Sequence, residues 1–371
     1  MLVSAVVFID TLFYAALVPL LPELARELHL SKPSAGLLTA AYPIGTLVGS
    51  IPGGILAARR TPRFAVCAGL ALLACSCVAF GFLHAQIPLD CARFVQGLGG
   101  ACSWAGGMTW IVTATPDDRR GAAIGTAIGM AIFGSLFGPV IGSLAAAVGR
   151  PIVFSSVAAF ATILVLEARA LPSSSVNSGQ GLRDIIGVVR RLPVLAGIWL
   201  MLVPAVAVGV LDVLGPLRLS RLGAGALAIG ATFLVAGVGE GSLTPVFGRL
   251  ADRRGRIVPM RVGLGIATAF LLLLTLPGTA VLFALGLVAT FASFGSFWAP
   301  ATAMLSEAAE AAGLDRGLGF GLVNFAWAAG LILGAAGGGA LAGASGNAVT
   351  LIAVAGMCGV TLLALLSRSR E

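Results

Sequence analysis

Charged residues are scarce in this chain. Only 10% of its 371 residues are charged, whereas 58% are hydrophobic and the mean hydropathy is +1.03. A soluble protein of this length needs far more charge to cover its surface. Histidine occurs only twice, and the sequence contains no nucleotide-binding loop. The composition therefore argues against a soluble enzyme and against direct coupling to ATP, and it favours a membrane protein.

The six cysteines form no metal-site or disulfide pattern. They lie in or at the ends of apolar segments, and none has the spacing to histidine that zinc sites use. Thiols embedded in lipid are poor disulfide candidates, so we interpret them as small packing residues. We therefore expect no bound metal and no organic cofactor.

Long apolar segments follow one another along almost the whole chain. About 20 apolar residues cross a bilayer as one helix, and this criterion predicts twelve spans. The predicted spans are residues 1–21, 35–57, 64–83, 89–113, 121–147, 152–170, 193–217, 224–250, 258–276, 280–306, 318–341 and 348–366. Since most connections are short, neighbouring spans are expected to be antiparallel. The predicted fold class is an all-α membrane protein.

The only long polar connection separates the sixth span from the seventh. Its first part, residues 172–181, is rich in Ser and Gly, as flexible linkers are. Its second part, residues 182–191, has the pattern of an amphipathic helix that lies on a membrane surface. We predict an N-terminal six-helix bundle at residues 1–171, a cytoplasmic linker at residues 172–192 and a C-terminal six-helix bundle at residues 193–371.

The net charge of +8 is explained by membrane orientation rather than by nucleic-acid binding. Both termini lie on the same side if the number of spans is even. Seventeen arginines then fall on that side, against five basic residues on the other. Positive charge marks the cytoplasmic side, so we expect cytoplasmic termini and no nucleic-acid partner. The preference for arginine over lysine favours a bacterial source, and hence the inner (plasma) membrane.

The second half of the sequence repeats the first. A shift of 194 residues superimposes Gly248 on Gly54, and a shift of 196 residues superimposes Gly334 on Gly138. Many membrane transporters are built from two such homologous, apolar halves, because the two bundles can rock about a site held between them. The repeat therefore predicts a transport architecture.

Four motifs carry a resemblance to one family. The loop after the eighth span contains GRLADRRGR, starting at Gly248, and the fourth span contains RFVQGLGGA, starting at Arg93. The fifth span contains GSLFGPVIG, starting at Gly134, and the first span carries Asp10 in FIDT, followed by VPLLP. With these motifs the chain resembles the major facilitator superfamily over essentially its whole length. Within that family it is similar to the drug:proton antiporters.

The resemblance implies two pseudo-symmetric six-helix bundles that alternate access to a central site. The family's cytoplasmic latch corresponds here to Gly248, Asp252, Arg253, Gly255 and Arg256. The antiporter-type glycine motif corresponds to Gly134, Gly138, Pro139 and Gly142. A solvated loop charge is the alternative for Asp252. The glycines are predicted to line a surface along which the two halves slide. Static helix packing is the alternative for them. The first-half copy of the signature has Ala58 where the acid belongs, which puts the usual first-half latch in doubt.

Asp10 is the sharpest candidate for a coupling residue. A rise of about 1.5 Å per residue from Met1 places it about 14 Å deep, near the bilayer centre. A carboxylate there costs several kcal/mol unless it is paired or protonated, so an intramembrane acid is a functional hypothesis by default. It suits a proton carrier or an anchor for a cationic substrate, with Tyr14 as a hydrogen-bond donor. A purely structural Asp10 is the alternative.

Arg93 is the second intramembrane charge. Gln96 and Trp104 share its helical face, which suggests a polar surface on a cavity. In this interpretation the charge of Arg93 lowers the proton affinity of Asp10 in one conformation only. The alternative is an ordinary pair between Arg93 and Asp90, three residues earlier.

The second half offers one deep acid and several aromatics. Glu240, in the eighth span, is either a further coupling residue or a group that hydrogen-bonds a neighbouring helix. The remaining candidates for a substrate cavity are Phe294, Trp298, Asn324 and Trp327. Aromatic side chains there would bind flat lipophilic or cationic compounds. Packing, or exposure to lipid, is the alternative.

These observations predict a secondary transporter, and not an enzyme. The favoured function is proton-coupled efflux of lipophilic or cationic small molecules, driven by a proton gradient without a cofactor. The expected partners are lipid, protons and a small-molecule substrate, and the expected state is a monomer. A sugar or metabolite transporter of the same fold is the first alternative, and a non-transporting membrane sensor or scaffold is the second.

Overall fold

The computed structural model describes the backbone of residues 1–172, 187–314 and 316–367. The side chains of residues 51, 58, 117, 118, 120–122, 252, 316–318 and 320 lie outside the described part. The described residues form helices and turns and include no β-strand. The helices are α1 (Leu2–Ala15), α2 (Leu17–Glu27), α3 (Lys32–Arg59), α4 (Pro62–Phe82), α5 (Gln86–Ala114), α6 (Asp117–Val148), α7 (Arg150–Ala170), α8 (Leu192–Arg221), α9 (Ala226–Arg254), α10 (Ile257–Leu273), α11 (Ala280–Phe294), α12 (Trp298–Ala311), α13 (Arg316–Ile332), a π-helical turn (Leu333–Gly337), α14 (Gly338–Ser345) and α15 (Asn347–Ser367).

The helices confirm an all-α membrane protein. Nine helical segments in the described part of the chain are long and apolar enough to cross a membrane, and α10 is a shorter apolar helix. Large apolar side chains are exposed on many of them; Val281 of α11 and Val360 of α15, for example, are 69% and 66% exposed. Such surfaces suit contact with lipid. Helices occupy all the predicted positions, but the exact count of twelve spans stays a prediction.

The chain divides into two compact units. Unit 1 comprises residues 1–30 and 38–180, and unit 2 comprises residues 31–37 and 181–371. The linker predicted at residues 172–192, with its amphipathic helix, lies for the most part outside the described residues. The predicted domain boundaries therefore stay a prediction.

Unit 1 has an aromatic core. Phe13 of α1, Phe80 of α4 and Phe154 of α7 are each at most 1% exposed. Their ring centroids lie 5.1 to 5.8 Å apart, a spacing typical of interacting aromatic pairs. This core holds α1 in place, and α1 carries Asp10.

Unit 2 has an aromatic core of its own. Phe291 of α11 contacts Phe233 of α9 edge-on, with a centroid distance of 5.6 Å. Phe294 contacts Phe291 in the same way at 6.1 Å and is 1% exposed. Phe294 therefore lies inside unit 2, as the packing alternative for the aromatic residues predicts.

Two predicted helices of the second half are interrupted. The tenth span is divided into α11 and α12 by a turn at residues 295–297, so Phe291, Phe294 and Trp298 do not form the continuous helical face expected of them. Gly295 lies in this turn, where an added Cβ would come within 2.6 Å of the Glu240 carbonyl oxygen. The eleventh span contains the π-helical turn between α13 and α14.

Candidate functional site

A buried carboxylate lies in the interior of unit 1. Asp10 is 1% exposed. Its Oδ2 accepts a hydrogen bond from Tyr42 Oη at 3.0 Å and another from Trp104 Nε1 at 3.3 Å. Among the described residues, its Oδ1 is buried without a hydrogen-bond partner. Three helices, α1, α3 and α5, therefore converge on one buried carboxyl group, and one of its oxygens has no hydrogen-bond partner in the described structure.

Glycines make room for this carboxyl group. A Cβ added at Gly100 of α5 would lie 2.8 Å from Asp10 Oδ1 and 2.9 Å from Oδ2, which is closer than real Cβ atoms approach. A Cβ added at Gly97 would overlap the Tyr42 carbonyl oxygen, and one at Gly45 would overlap the Phe94 carbonyl oxygen. The backbones of α3 and α5 therefore approach closely, and this approach brings Tyr42 to Asp10.

Gly100→Ala is expected to impair transport without unfolding the protein. The new methyl group displaces the Asp10 carboxyl at a typical overpacking cost of about 1–3 kcal/mol. Since each 1.4 kcal/mol corresponds to a factor of ten, transport should fall roughly tenfold. The control is Gly129→Ala in α6, where no heavy atom lies within 4 Å of the new Cβ. Initial transport rates in vesicles measure both variants, and equal rates would contradict the role given to Gly100.

Arg93 lies beside the carboxyl group, 1% exposed. Its guanidinium donates to Gln96 Oε1 at 2.7 Å, to the Tyr14 carbonyl oxygen at 3.3 Å and to the Phe13 carbonyl oxygen at 3.5 Å. These carbonyls belong to the last turn of α1, where helical carbonyl oxygens lack partners and the helix dipole is negative. Arg93 therefore occupies the end of α1, and its charge acts on Asp10.

The pair between Arg93 and Asp90 does not form in the part of the chain that the structure describes. No ion pair joins Asp90 to Arg93 there, and the Oδ1 of Asp90 is buried without a hydrogen-bond partner. The Arg93 guanidinium is covered by the rings of Tyr42, Tyr14 and Phe13, with distances of 5.4, 5.7 and 6.0 Å to the centroids. Cation–π attraction adds to the hydrogen bonds of the buried charge.

Tyr42 is the residue that the sequence analysis missed. We expected Tyr14 to donate to Asp10; the hydroxyl of Tyr42 does so, and the two tyrosine rings pack with centroids 4.7 Å apart. A signal was present, because the chain contains only two tyrosines and both lie in apolar spans. Trp104, by contrast, was placed on the correct helical face by its spacing from Arg93.

The chemistry of this cluster follows from its donors and charges. A carboxyl group in a low-dielectric interior is stable when it is protonated or when it is paired with donors and a cation. Here two neutral donors and one arginine charge surround Asp10, and Oδ1 has no hydrogen-bond partner in the described part of the chain. The group can therefore hold a proton.

A second acid is half-buried in unit 2. Glu240 of α9 accepts a hydrogen bond from the indole Nε1 of Trp298, the first residue of α12. The charge of Asp212 in α8, 9% exposed, also acts on Glu240. Asn324 of α13 is exposed and Trp327 is half-buried. Of the candidate site residues predicted in the second half, the structure therefore brings Glu240 and Trp298 into contact.

The cytoplasmic signature is described only in part. The side chain of Asp252 lies outside the described residues, so its latch role stays a prediction. Gly255 ends α9 with φ of +84°, a left-handed conformation that favours glycine. Arg253 is exposed. Arg256 forms an ion pair with Glu307 at 2.6 Å, and both side chains are exposed. No heavy atom lies within 4 Å of a Cβ added at Gly248.

The glycine motif of α6 faces α1 and α2 within unit 1. A Cβ at Gly134 would overlap the Phe8 carbonyl oxygen, and one at Gly138 would lie 2.7 Å from the Leu12 carbonyl oxygen. Gly142 meets the Ala16 carbonyl oxygen and Pro19 in the same way. Pro139 lies within α6, and its carbonyl oxygen accepts from Ser143 Oγ at 2.9 Å. These contacts lie within unit 1, and a sliding seam between the halves stays a prediction.

Comparison with known proteins identifies the family. The family model described as Major Facilitator Superfamily matches residues 3–314 and 207–371, which together cover almost the whole chain. The chain therefore belongs to the Major Facilitator Superfamily. The proteins of this family that resemble the chain in structure are transporters. The chain therefore has the fold of a membrane transporter and not of an enzyme.

Three relatives illustrate the range of the family. The chain is 25% identical over 366 residues to "Inner membrane transport protein YdhP" of Escherichia coli O157:H7, covering 95% of this chain and 91% of that protein. It is 28% identical over 244 residues to "Chloramphenicol resistance protein" of Streptomyces lividans, covering 63% and 62% of the two chains. The solved structure of nucleoside transporter NupG has a TM-score of 0.77 at 14% identity, covering 100% and 98%. That last likeness concerns the fold alone.

Proposed function

We propose that this protein is a proton-coupled exporter of lipophilic or cationic small molecules in a bacterial inner membrane. Asp10 carries the proton, and the exporter exchanges it for substrate across the membrane by alternating access, with the proton gradient as its energy source. The protein acts as a monomer with both termini in the cytoplasm.

The Asp10 cluster is the observation that carries this proposal. A carboxyl group with one free oxygen, buried among Tyr42, Trp104 and Arg93, is costly in a membrane protein unless it has a function. Proton exchange uses both of its charge states. Aromatic rings beside the acid also suit a flat or cationic substrate.

The relatives support export of a lipophilic compound. The Streptomyces lividans relative is named for chloramphenicol resistance, and resistance to an antibiotic is a typical result of export. The Escherichia coli relative is named as an inner membrane transport protein, which supports the same location here.

A sugar or nucleoside transporter of the same fold is the second candidate. The nucleoside transporter of known structure shares the fold alone, so this candidate rests on the alternative that the sequence left open. Against it, few side chains in the described cluster can hydrogen-bond many hydroxyl groups; the Oε1 of Gln96 already accepts from Arg93, which leaves only its Nε2 without a partner there. The direction of proton movement separates the two candidates.

Proteoliposomes loaded with substrate test the proposal. When substrate leaves down its gradient, an antiporter brings protons in and the lumen becomes acidic, whichever way the protein is inserted. A symporter takes protons out with the substrate and makes the lumen alkaline. We expect acidification with chloramphenicol or a quaternary ammonium dye, which carries no proton of its own. Protein-free liposomes are the control.

Two results would contradict the proposal. Alkalinisation with a sugar or nucleoside, and no response to the dye or to chloramphenicol, would establish the second candidate. Substrate movement without any change of pH would exclude proton coupling altogether.

A further inference from the structure

Three helix ends of unit 1 meet around His84. This residue lies in the connection between α4 and α5, and 67% of its side chain is exposed. Its Nδ1 lies 2.9 Å from Glu27 Oε1, at the end of α2, and 3.1 Å from Arg150 Nη2, at the start of α7. A Cβ added at Gly81 would lie 3.4 Å from the Arg150 carbonyl oxygen, so the end of α4 packs against the same turn of α7.

Arg150 is the buried member of this cluster. Its side chain is 9% exposed, whereas that of Glu27 is 36% exposed. The Nη2 of Arg150 donates to both carboxylate oxygens of Glu27, at 3.1 and 3.2 Å. A buried guanidinium needs a counter-charge, and Glu27 supplies it in the part of the chain that the structure describes. The ion pair between α2 and α7 is therefore the fixed part of the cluster.

The two contacts of His84 Nδ1 exclude each other. The Arg150 guanidinium can only donate, so a hydrogen bond with it needs a lone pair on Nδ1. The ionised Glu27 carboxylate can only accept, so a hydrogen bond with it needs a hydrogen on Nδ1. One ring nitrogen cannot meet both conditions at once. The partner of His84 therefore depends on whether Nδ1 carries a hydrogen.

The other charged groups nearby do not take part. Arg26, beside Glu27, donates to the Pro22 carbonyl oxygen of its own helix. The last turn of α4 contains no charged residue. On α5, no ion pair joins Asp90 to His84 among the described residues, where Asp90 Oδ1 is buried without a partner. The charged groups that face the imidazole are therefore Glu27 and Arg150.

Protonation of the imidazole exchanges its partners. Histidine ordinarily changes its charge between about pH 5 and 8. In the neutral ring the hydrogen is on Nε2, and Nδ1 accepts from Arg150. In the imidazolium both nitrogens donate, so Nδ1 pairs with Glu27, and Arg150 becomes a like charge. A hydrogen bond between a cation and a carboxylate is roughly twice as strong as a neutral one.

The cluster lies on the side of the membrane opposite to the N-terminus. Helices α1 and α2 together form one apolar span of 26 residues, Leu2–Glu27, so Glu27 and the N-terminus lie on opposite sides. With the N-terminus in the cytoplasm, as proposed above, Glu27 lies on the outer side. The proposed export takes its protons from that side, and α1 carries Asp10.

We propose that His84 is a pH-dependent switch at the outer end of unit 1. At neutral outer pH it accepts from Arg150 and leaves the Glu27 carboxylate to that arginine. At acidic outer pH it donates to Glu27 and ties the connection between α4 and α5 to the end of α2. Because α2 continues α1, this bond restrains the helix that carries Asp10 and slows transport. The slowing rests on the proposed transport function, whereas the exchange of partners does not.

Nuclear magnetic resonance of the full-length protein, labelled with ¹⁵N in histidine, tests the exchange of partners. The chain has only two histidines, and the exposed His29 is the internal reference. The variants His84→Gln and His29→Asn assign the two sets of signals; Asn tolerates the left-handed backbone of His29, with φ of 51°.

The spectra distinguish the switch from a permanent bond. At a pH of about 8, Nδ1 of His84 should carry no hydrogen, whereas His29 should show a mixture of tautomers; at about pH 5 both should be imidazolium ions. A hydrogen on Nδ1 of His84 at both pH values would mean a permanent bond to Glu27 and would overturn the switch. A tautomer mixture equal to that of His29 would overturn the contact with Arg150.

Efflux from substrate-loaded vesicles tests the effect on transport. With the same pH on both sides of the membrane, the direction in which the protein is inserted does not matter. Because an exposed charge pair is weak, we expect the unaltered protein to be only about threefold slower than His84→Gln at about pH 5, and equally fast at about pH 8. His29→Asn, the control, should behave like the unaltered protein.

Each other result has a definite meaning. If His84→Gln is no faster than the unaltered protein at the acidic pH, the effect on transport is overturned. If the unaltered protein transports nothing at either pH, the proposed transport function fails and the slowing fails with it. The spectra then decide the exchange of partners on their own.

Discussion

Asp10→Asn is expected to abolish substrate accumulation against a gradient while leaving the fold intact. The amide has nearly the same shape, and its oxygen can still accept from Tyr42 and Trp104, which both donate to Oδ2. It has no proton to exchange at neutral pH, however, so the link between proton and substrate is lost. Arg93, whose charge acts on Asp10, also loses its negative neighbour.

The size of this effect can be stated for vesicles. A gradient of one pH unit is worth about 1.4 kcal/mol, which supports about tenfold accumulation for one-to-one exchange with a monovalent cation. We expect the unaltered protein to approach this ratio and Asp10→Asn to stay near equal concentrations on both sides. Accumulation of a fluorescent quaternary dye measures the difference.

A second assay separates loss of coupling from loss of folding. Exchange of labelled for unlabelled substrate, with no gradient, needs no net proton movement, so Asp10→Asn should retain it. A variant that accumulates dye as well as the unaltered protein would remove Asp10 from the mechanism. A variant that neither exchanges nor accumulates, yet melts like the unaltered protein, would assign Asp10 to substrate binding.

Gly134→Ala is expected to destabilise unit 1, whereas Gly129→Ala in the same helix is not. The Cβ added at Gly134 overlaps the Phe8 carbonyl oxygen and Thr11 Oγ1, and the backbone oxygen cannot rotate away. At Gly129 no heavy atom lies within 4 Å of the added Cβ. Overpacking typically costs about 1–3 kcal/mol, whereas alanine at an open helical position gains up to about 1 kcal/mol over glycine.

Thermal unfolding of the purified proteins in detergent measures this pair. We expect a lower midpoint for Gly134→Ala, and an unchanged or higher midpoint for Gly129→Ala. Transport should fall with Gly134→Ala as well, because the helix that is pushed away, α1, carries Asp10. Equal unfolding midpoints for the two variants would mean that α1 and α6 can move apart at no cost. The close contact at Gly134 would then not contribute to stability.

The sequence was most informative about features that the bilayer constrains directly. Apolar segments of helical length predicted the helices at their observed positions, because a backbone in lipid must satisfy its hydrogen bonds internally. Asp10 and Arg93 stood out because charges are expensive in that environment. The family motifs, too, are local in the chain and visible without coordinates.

The break in the tenth span shows where periodicity misled us. Phe291, Phe294 and Trp298 have helical spacing, but the turn at residues 295–297 separates the first two from the third. Hydropathy averaged over a whole span does not distinguish a straight helix from an interrupted one, because the three residues of the turn (Gly, Ser and Phe) change the average little. Trp298 instead donates to Glu240.

The sequence by itself therefore determined the membrane class, the helix positions, the family and two of the buried charges, Asp10 and Arg93. Only the tertiary structure decided which groups surround them: Tyr42 and Trp104 at Asp10, Gly100 beneath its carboxyl, and the end of α1 at Arg93. The physical reason is that periodicity assigns a residue to a face of its own helix, whereas the neighbour of that face depends on packing between distant segments. In this chain the packing is set by glycines that let backbones touch, and the same residue type stands at open positions such as Gly129.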